Sequence, residues 1–261
     1  MADSCLGDVQ VLEYSRFVSG PFCAKVLADL GAEVIKIETP GIGDEARRRG
    51  PFLNDIPDPE TSGLFLYLNT NKMGITLNLE TATGREIFNR LIKQADILVE
   101  DLQPGAAARL GLQYESLREI NPGLIVTSIT PFGRSGPYRD YKAYDLNVSH
   151  GGGLGNLMPP LSPNLKRAPV RAGGFYADVS SGLTAAVATV AALLAREATG
   201  LGQHVDVSRQ ETISALVTVE LARYLYGGIS WSRVPDRTPL MARLRCHDGW
   251  VIPVAFEDHH W

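Results

Sequence analysis

Short apolar runs alternating with helix-patterned stretches constrain this chain more than any other feature. Residues 9–13, 33–37, 75–79, 96–100, 124–129 and 205–207 are rich in Val, Ile and Leu and read as strands. Between them lie helical patterns at 21–30, closed by Gly31, and at 81–94, with Thr81 in the N-cap position. A further stretch at 105–120 reads as two short helices. Strands that are apolar on both faces and separated by helices predict βαβ units, because each helix covers one face of the sheet. The expected fold is therefore α/β: a Rossmann-like, mostly parallel sheet with helices on both faces. Ligands of such sheets gather beyond the carboxyl ends of the strands. The loops starting at Glu38, Asp101 and Thr130 are expected to reach one, and the long loop at 40–62 invites the same reading.

The second half reads differently. Residues 145–173 are rich in glycine and proline, and a long Ala/Leu/Val helix follows Asp178. Leu183, Val187, Val190, Ala191 and Leu194 fall at helical spacing and form its expected core face. A turn at 197–202, a short strand and a helix over 211–226 complete a large domain at 1–228. Residues 229–241 read as a linker. Residues 242–261 read as the beginning of a smaller second domain, with a hairpin turned by His247-Asp248-Gly249.

Composition narrows the function. The chain is 44% hydrophobic and 21% charged, with a formal net charge of −4. That is the balance of a soluble globular protein, without the basic face nucleic acid requires. Cys5, Cys23 and Cys246 are too scattered for a disulfide framework, so a reducing, cytoplasmic setting is expected, with Cys23 a small core residue. The first residues lack a signal-peptide pattern, and the apolar stretch 183–195 falls short of the ~20 residues that span a bilayer, so no membrane is expected. Gly41 to Ala46 match G-x-G-x-x-A, but Glu38-Thr39-Pro40 separate them from their strand, which argues against a dinucleotide cofactor. Gly151-Gly152-Gly153 lack the lysine of a phosphate loop, and no G-x-S-x-G elbow occurs. His247, His259 and His260 have no zinc-like spacing, so no metal is expected.

Asp178 has two possible employments. It can cap the helix that follows it, accepting from the free N–H groups of the first turn. Taken alone, capping is the commoner employment, because Asp is among the preferred N-caps; the alternative is an exposed nucleophile. Residue type and position leave both open. Lys72, Arg109, Lys142 and Arg47 stand beside strand-end loops. Each alone reads as a solvated surface charge; converging, they would hold the phosphates of an anionic ligand.

Several blocks then carry a resemblance. They are Gly20-Pro21-Phe22, the run from Leu27 to Glu38, Gly43-Asp44 with Arg47, Asn69 to Lys72, Gln103-Pro104-Gly105 with Arg109 and Gly111, the Gly174/Asp178/Gly182/Leu183 pattern, and Gly200 to Val207. In this order the chain resembles the family III CoA-transferases, which include carnitine CoA-transferase and formyl-CoA:oxalate CoA-transferase, with alpha-methylacyl-CoA racemase as a relative. The resemblance implies that Asp178 is the nucleophile. It implies Lys72, Arg109 and Lys142, with Lys36 and Arg47, as coenzyme A contacts. Coenzyme A and acyl-CoA enter as substrates, with no metal and no permanently bound cofactor. It implies CoA transfer from an acyl-CoA to a carboxylic acid through aspartyl anhydride and aspartyl-CoA thioester intermediates. The backbone at Gly151 and Gly152, or the N–H groups at the helix start, would steady the tetrahedral oxyanions. Tyr144 would hydrogen-bond the acyl group or simply pack. Full-length members form interlocked homodimers.

Three departures mark the comparison. Where the racemase relative has His-Asp-x-Asn, this chain has Tyr144-Asp145-Leu146-Asn147, and tyrosine is a poor base at neutral pH. That favours transfer over epimerisation. Formyl-CoA transferase-like members carry a glycine-rich loop where Val234 to Met241 stands here, which argues against a formyl or oxalate substrate. Family members are also longer, so a fragment, inactive or able only to bind, is the competing reading.

Overall fold

The computed structural model describes residues 4–159, 162, 164–230, 232–233 and 244–252. Six strands form one sheet: β1 Gln10–Tyr14, β2 Glu33–Glu38, β3 Lys72–Thr76, β4 Ile97–Glu100, β5 Ile125–Thr130 and β6 His204–Ser208. Their order is β3-β2-β1-β4-β5-β6, and every pairing is parallel. The chain winds outward from β1 to β3, then crosses back to β4 and winds the other way. The reversal opens a crevice beyond the carboxyl ends of β1 and β4.

Side chains alternate across the strands, so each strand feeds two cores. Val11, Ile97, Val99, Ile125 and Ile129 face one core, packed with helix α1 (Ser19–Asp29) and helix α8 (Tyr176–Thr199). Leu12, Leu98 and Val126 face the other, with α3 (Ala82–Ile92), α4 (Pro104–Leu110) and α5 (Tyr114–Ile120). The shorter helices are α2 (Gly63–Leu68), α6 (Asp145–Gly151), α7 (Leu154–Leu157), α9 (Arg209–Leu216) and α10 (Thr218–Gly227). β7 (Leu244–Arg245) and β8 (Trp250–Val251) form an antiparallel hairpin. Residues 231, 234–243 and 253–261, which include most of the expected linker and His259 and His260, lie outside the described residues.

The local signals act as expected at several ends. Thr81 accepts from the Gly84 N–H at 3.1 Å and caps α3. Pro104 opens α4, and Gly111, at φ 70, closes it. Three expectations need correction. The third strand lies three residues earlier than 75–79, since Leu77 and Leu79 are buried beside the sheet but outside it. The helix expected over 211–226 breaks at Val217 into α9 and α10. The face of α8 chosen as its core is mostly its outer face: Leu183, Val187 and Leu194 are 50%, 65% and 63% exposed, and of the expected set only Val190 packs against the core.

The buried face of α8 is mostly small, Ala177, Ser181, Gly182, Ala185, Ala186, Thr189 and Ala192, with Asp178 near its start and Leu193 near its end. The reason is proximity. A Cβ on Gly182 would lie 2.5 Å from the Ser19 carbonyl oxygen and 3.2 Å from the Cys23 nitrogen, so α8 and α1 touch backbone to backbone. Helix α8 is also longer than the 183–195 stretch suggested. An 18-residue window of its 24 residues reaches a mean hydropathy of 1.5, so by length and composition, unlike the 183–195 stretch, the helix could span a bilayer, and half of that window is buried in the fold. This contact with α1 sets the height of Asp178, one turn before Gly182, above the sheet.

Candidate active site

Asp178 does not cap its own helix. The residue before α8, Phe175, sits at φ 55 and ψ 46, outside the usual cap geometry, and offers no side-chain acceptor. The cap comes from another helix. Asp145, buried at the start of α6, accepts from the Ala177 N–H at 2.8 Å and more weakly from the Asp178 N–H at 3.4 Å. A carboxylate at a helix N-terminus is favoured by the exposed N–H groups and the dipole. With that position filled by Asp145, the Asp178 carboxylate is released for other contacts.

Those contacts are few. Asp178 is 2% exposed and forms an ion pair through Oδ1 with Arg209 Nη2, while its Oδ2 accepts no hydrogen bond from the protein. Burial pushes its pKa up to about 6, against the pull of the Arg209 charge and helped by the Asp145 charge. The carboxylate lines a cavity of about 280 Å³ together with Lys142, Tyr144, Arg16, Phe17 and Arg209. Phe17, at φ 68, packs edge-on against Phe175 with ring centroids 5.0 Å apart. Two left-handed phenylalanines, a costly conformation for bulky residues, thus meet where the loop after β1 touches the start of α8.

A second cavity of about 370 Å³ lies beyond β1, β2 and β4 and includes Arg109, Glu38 and Asn78. Arg16 lines both, so the two cavities adjoin across the strand ends. The Arg16 N–H donates to Asp101 Oδ2 at 2.8 Å and ties the loops after β1 and β4 together at the crevice.

The expected site residues therefore separate. Asp178, Lys142 and Tyr144 share one cavity, and Arg109, 70% exposed and 3.7 Å from Glu80, lines the neighbouring one. Lys72 is elsewhere: its ammonium donates to Glu13 at 2.7 Å, the Pro21 carbonyl at 2.8 Å and Asn69 at 3.0 Å, leaving no proton for a phosphate. Lys36 is buried between Glu13 (2.7 Å) and Asp44 (2.8 Å). Burial would lower its pKa, but the two carboxylates raise it above the ordinary lysine value; against the same burial the two ammonium groups hold Glu13 low. Arg47 is gripped by both oxygens of Glu38, each at 2.8 Å, and stacks on Phe65. These three cations are engaged within the fold and line neither cavity, so the structure does not bring them to Asp178 with the other expected CoA contacts.

The glycine expectation also fails. The Gly152 N–H donates to the Val148 carbonyl at 2.8 Å, and a Cβ there would meet Ile213 at 2.6 Å. Gly151 closes α6, and its carbonyl accepts from Gln210 at 2.9 Å. Neither lines the Asp178 cavity. Both belong to the close packing of α6 on α9, not to an oxyanion hole.

Sequence reasoning missed Arg16, Asp145 as a cap, and Arg209. Arg16 and Arg209 each lie at or just beyond the carboxyl end of a strand, β1 and β6, and the strand-end rule applied to all six strands would have found them.

Comparison with known proteins decides the family. The model of CoA-transferase family III matches residues 6–261. The chain belongs to this family. An acyl-CoA transferase of Fusarium pseudograminearum is 36% identical over 269 residues, covering 100% of this chain and 58% of that protein. The formyl-CoA:oxalate CoA-transferase of Escherichia coli O139:H28 is 40% identical over 221 residues, covering 83% of this chain and 50% of that one. A CAIB/BAIF family protein from Brucella suis has the same fold, with a TM-score of 0.84 and 34% identity over 98% of this chain and 68% of that one. The chain thus spans about half the length of the curated family III relatives it matches.

Proposed function

We propose that this chain carries the nucleophile and much of the coenzyme A site of an acyl-CoA:carboxylate CoA-transferase. The observation that carries the reading is the release of Asp178 from capping duty by Asp145, with Asp178 facing a groove at the strand-order reversal. Lys142, Arg49 and Arg209 in the Asp178 cavity, Arg16 in both cavities and Arg109 in the neighbouring one are the cations on offer to an extended anionic ligand.

The chemistry runs in two mirrored halves. An Asp178 carboxylate oxygen attacks the thioester carbon of the donor; the C–S bond breaks and CoA leaves as thiolate, giving an aspartyl anhydride. The thiolate attacks the aspartyl carbonyl, the anhydride C–O bond breaks, and the donor acid departs as carboxylate. An acceptor carboxylate then attacks the aspartyl-CoA thioester and the steps reverse, restoring Asp178. Covalent catalysis splits a hard exchange into steps of similar kind. Tyr144 and Arg209 are donors within reach of this cavity for the oxyanions, in place of the glycines. The Phe17–Phe175 contact limits water at the site, which protects the anhydride from hydrolysis.

Epimerisation is the weaker reading, because no histidine lines the Asp178 cavity among the described residues. The decisive experiment is trapping. The protein is incubated with a panel of acyl-CoAs, quenched with hydroxylamine or borohydride, and digested for mass mapping. Modification at Asp178 is the expected result. Solvent deuterium entering the α-carbon of a branched acyl-CoA without any adduct would replace transfer with epimerisation. Within the whole protein the expected assembly is a homodimer, and the exposed apolar sides of α8 and α10 supply surface for it.

A further inference from the structure

Two arginine–carboxylate pairs in this protein differ in kind. Arg47 meets Glu38 with two hydrogen bonds of 2.8 Å, using Nε and Nη2 together. Arg209 meets Asp178 through Nη2 alone, while its Nε and the Asp178 Oδ2 are both buried without a hydrogen-bond partner. The first pair is closed on both sides. The second is half made, and one donor and one acceptor remain ready for something else. A planar guanidinium fork is built to take a carboxylate with two parallel N–H groups.

The surroundings show what that something is. The Arg209 side chain is 12% exposed, and Asp178 is the only carboxylate at ion-pair distance from it among the described residues. Asp145 cannot substitute: its Oδ1 is engaged with the start of α8, and its Oδ2 lies 3.8 Å from Arg171. Yet the reaction proposed above removes the Asp178 charge, since neither an anhydride nor a thioester carries one. Arg209 would then be a largely buried cation without a partner, which is unfavourable by several-fold more than an exposed one. Water can accept from its N–H groups but does not neutralise its charge. A second carboxylate does.

We propose that Arg209 is the carboxylate-binding residue of the acceptor half-reaction, paired with Asp178 at rest and with the incoming acid once Asp178 is acylated. It rests on the transferase reading for its place in the cycle. The exchange of partners brings the acceptor oxygen beside the aspartyl carbonyl and selects an anionic acceptor over water. The charged groups facing Asp178 are Asp145 of α6, Arg171 of the segment before α8 and Arg209 of α9, with Lys142 and Tyr144 on the cavity wall.

Two experiments separate this inference from the reading beneath it. In the first, the aspartyl-CoA adduct is formed from a reactive donor of the acyl-CoA panel and discharged with acetate or with hydroxylamine, a neutral nucleophile. Arg209→Met is expected to lower the acetate-to-hydroxylamine rate ratio at least about tenfold, as loss of a charged hydrogen bond does. Arg209→Lys is expected to recover part of it. An unchanged ratio overturns the inference while leaving the adduct, and so the transferase reading, intact. Failure of the unsubstituted protein to form any adduct overturns the reading itself. The second experiment needs no donor. Asp178→Ala leaves Arg209 without its anion, and acetate or oxalate is expected to raise its melting temperature. The double variant Asp178→Ala, Arg209→Met is expected to show no such rise. If both respond alike to acetate, or neither responds, Arg209 is not the carboxylate site. Should Arg209→Met fail to fold, Arg209→Lys takes its place: a raised KM for acetate is the required outcome of the first test, and a smaller acetate-induced rise in melting temperature for Asp178→Ala, Arg209→Lys than for Asp178→Ala is that of the second.

Discussion

At the residue scale, the arrangement depends on which carboxylate holds the start of α8. Asp145 does, and this leaves Asp178 with one ion pair and one unpartnered oxygen. Asp178→Ala is expected to lower CoA transfer by at least about a thousandfold, as removing a nucleophile does, measured by exchange of labelled CoA between acyl groups. The sign of the pH dependence follows from burial. Asp178 titrates near 6, and only the ionised form attacks, so kcat/KM is expected to fall as pH drops through about 6 and to level off above it. A profile flat down to pH 4.5 would contradict this. The resemblance identified Asp178 by its place in a motif. Its partners were not legible, because Asp145 and Arg209 stand 33 and 31 residues away and meet it only through the packing of α6 and α9 on α8.

At the element scale, α8 is positioned by contact with α1. Gly182→Val would push a side chain into the Ser19 carbonyl at 2.5 Å and the Cys23 nitrogen at 3.2 Å. It is expected to destabilise the fold by about 1–3 kcal/mol, measured by urea unfolding, and to lower transfer activity by displacing Asp178. Periodicity chose the wrong face of this helix because the helix is apolar nearly all round, and the larger side chains drew the reading outward. Close helix contact instead demands small residues, a requirement hydrophobicity does not report. The buried Glu13–Lys36–Lys72–Asp44 cluster makes the same point for charge. Glu13→Gln leaves two buried ammonium groups short of a counter-charge and is expected to cost about 3–5 kcal/mol, again by urea unfolding.

At the scale of the whole molecule, the described surface is incomplete as a soluble exterior. Helix α10 buries none of its residues, and Leu221, Tyr224, Leu225 and Tyr226 are exposed, as are Leu183, Val187 and Leu194 of α8. Apolar patches of this kind mark surfaces that other chain covers. The 261-residue chain alone is expected to self-associate and to bind a hydrophobic dye, read by size-exclusion chromatography and fluorescence; a clean monomer without dye binding would contradict this. The sheet, its mostly parallel sense and the start of α3 at Thr81 were already determined by the sequence, since strand burial and capping residues act over a few neighbours; the break at Val217 and the extent of α8 were not. The family blocks likewise pointed to Asp178 directly. Which cations face the groove, which carboxylate caps α8 and which arginine meets Asp178 were decided only by tertiary structure. A charge announces its presence in sequence, but its partner is set by distance, and distances between remote segments exist only once the chain has packed.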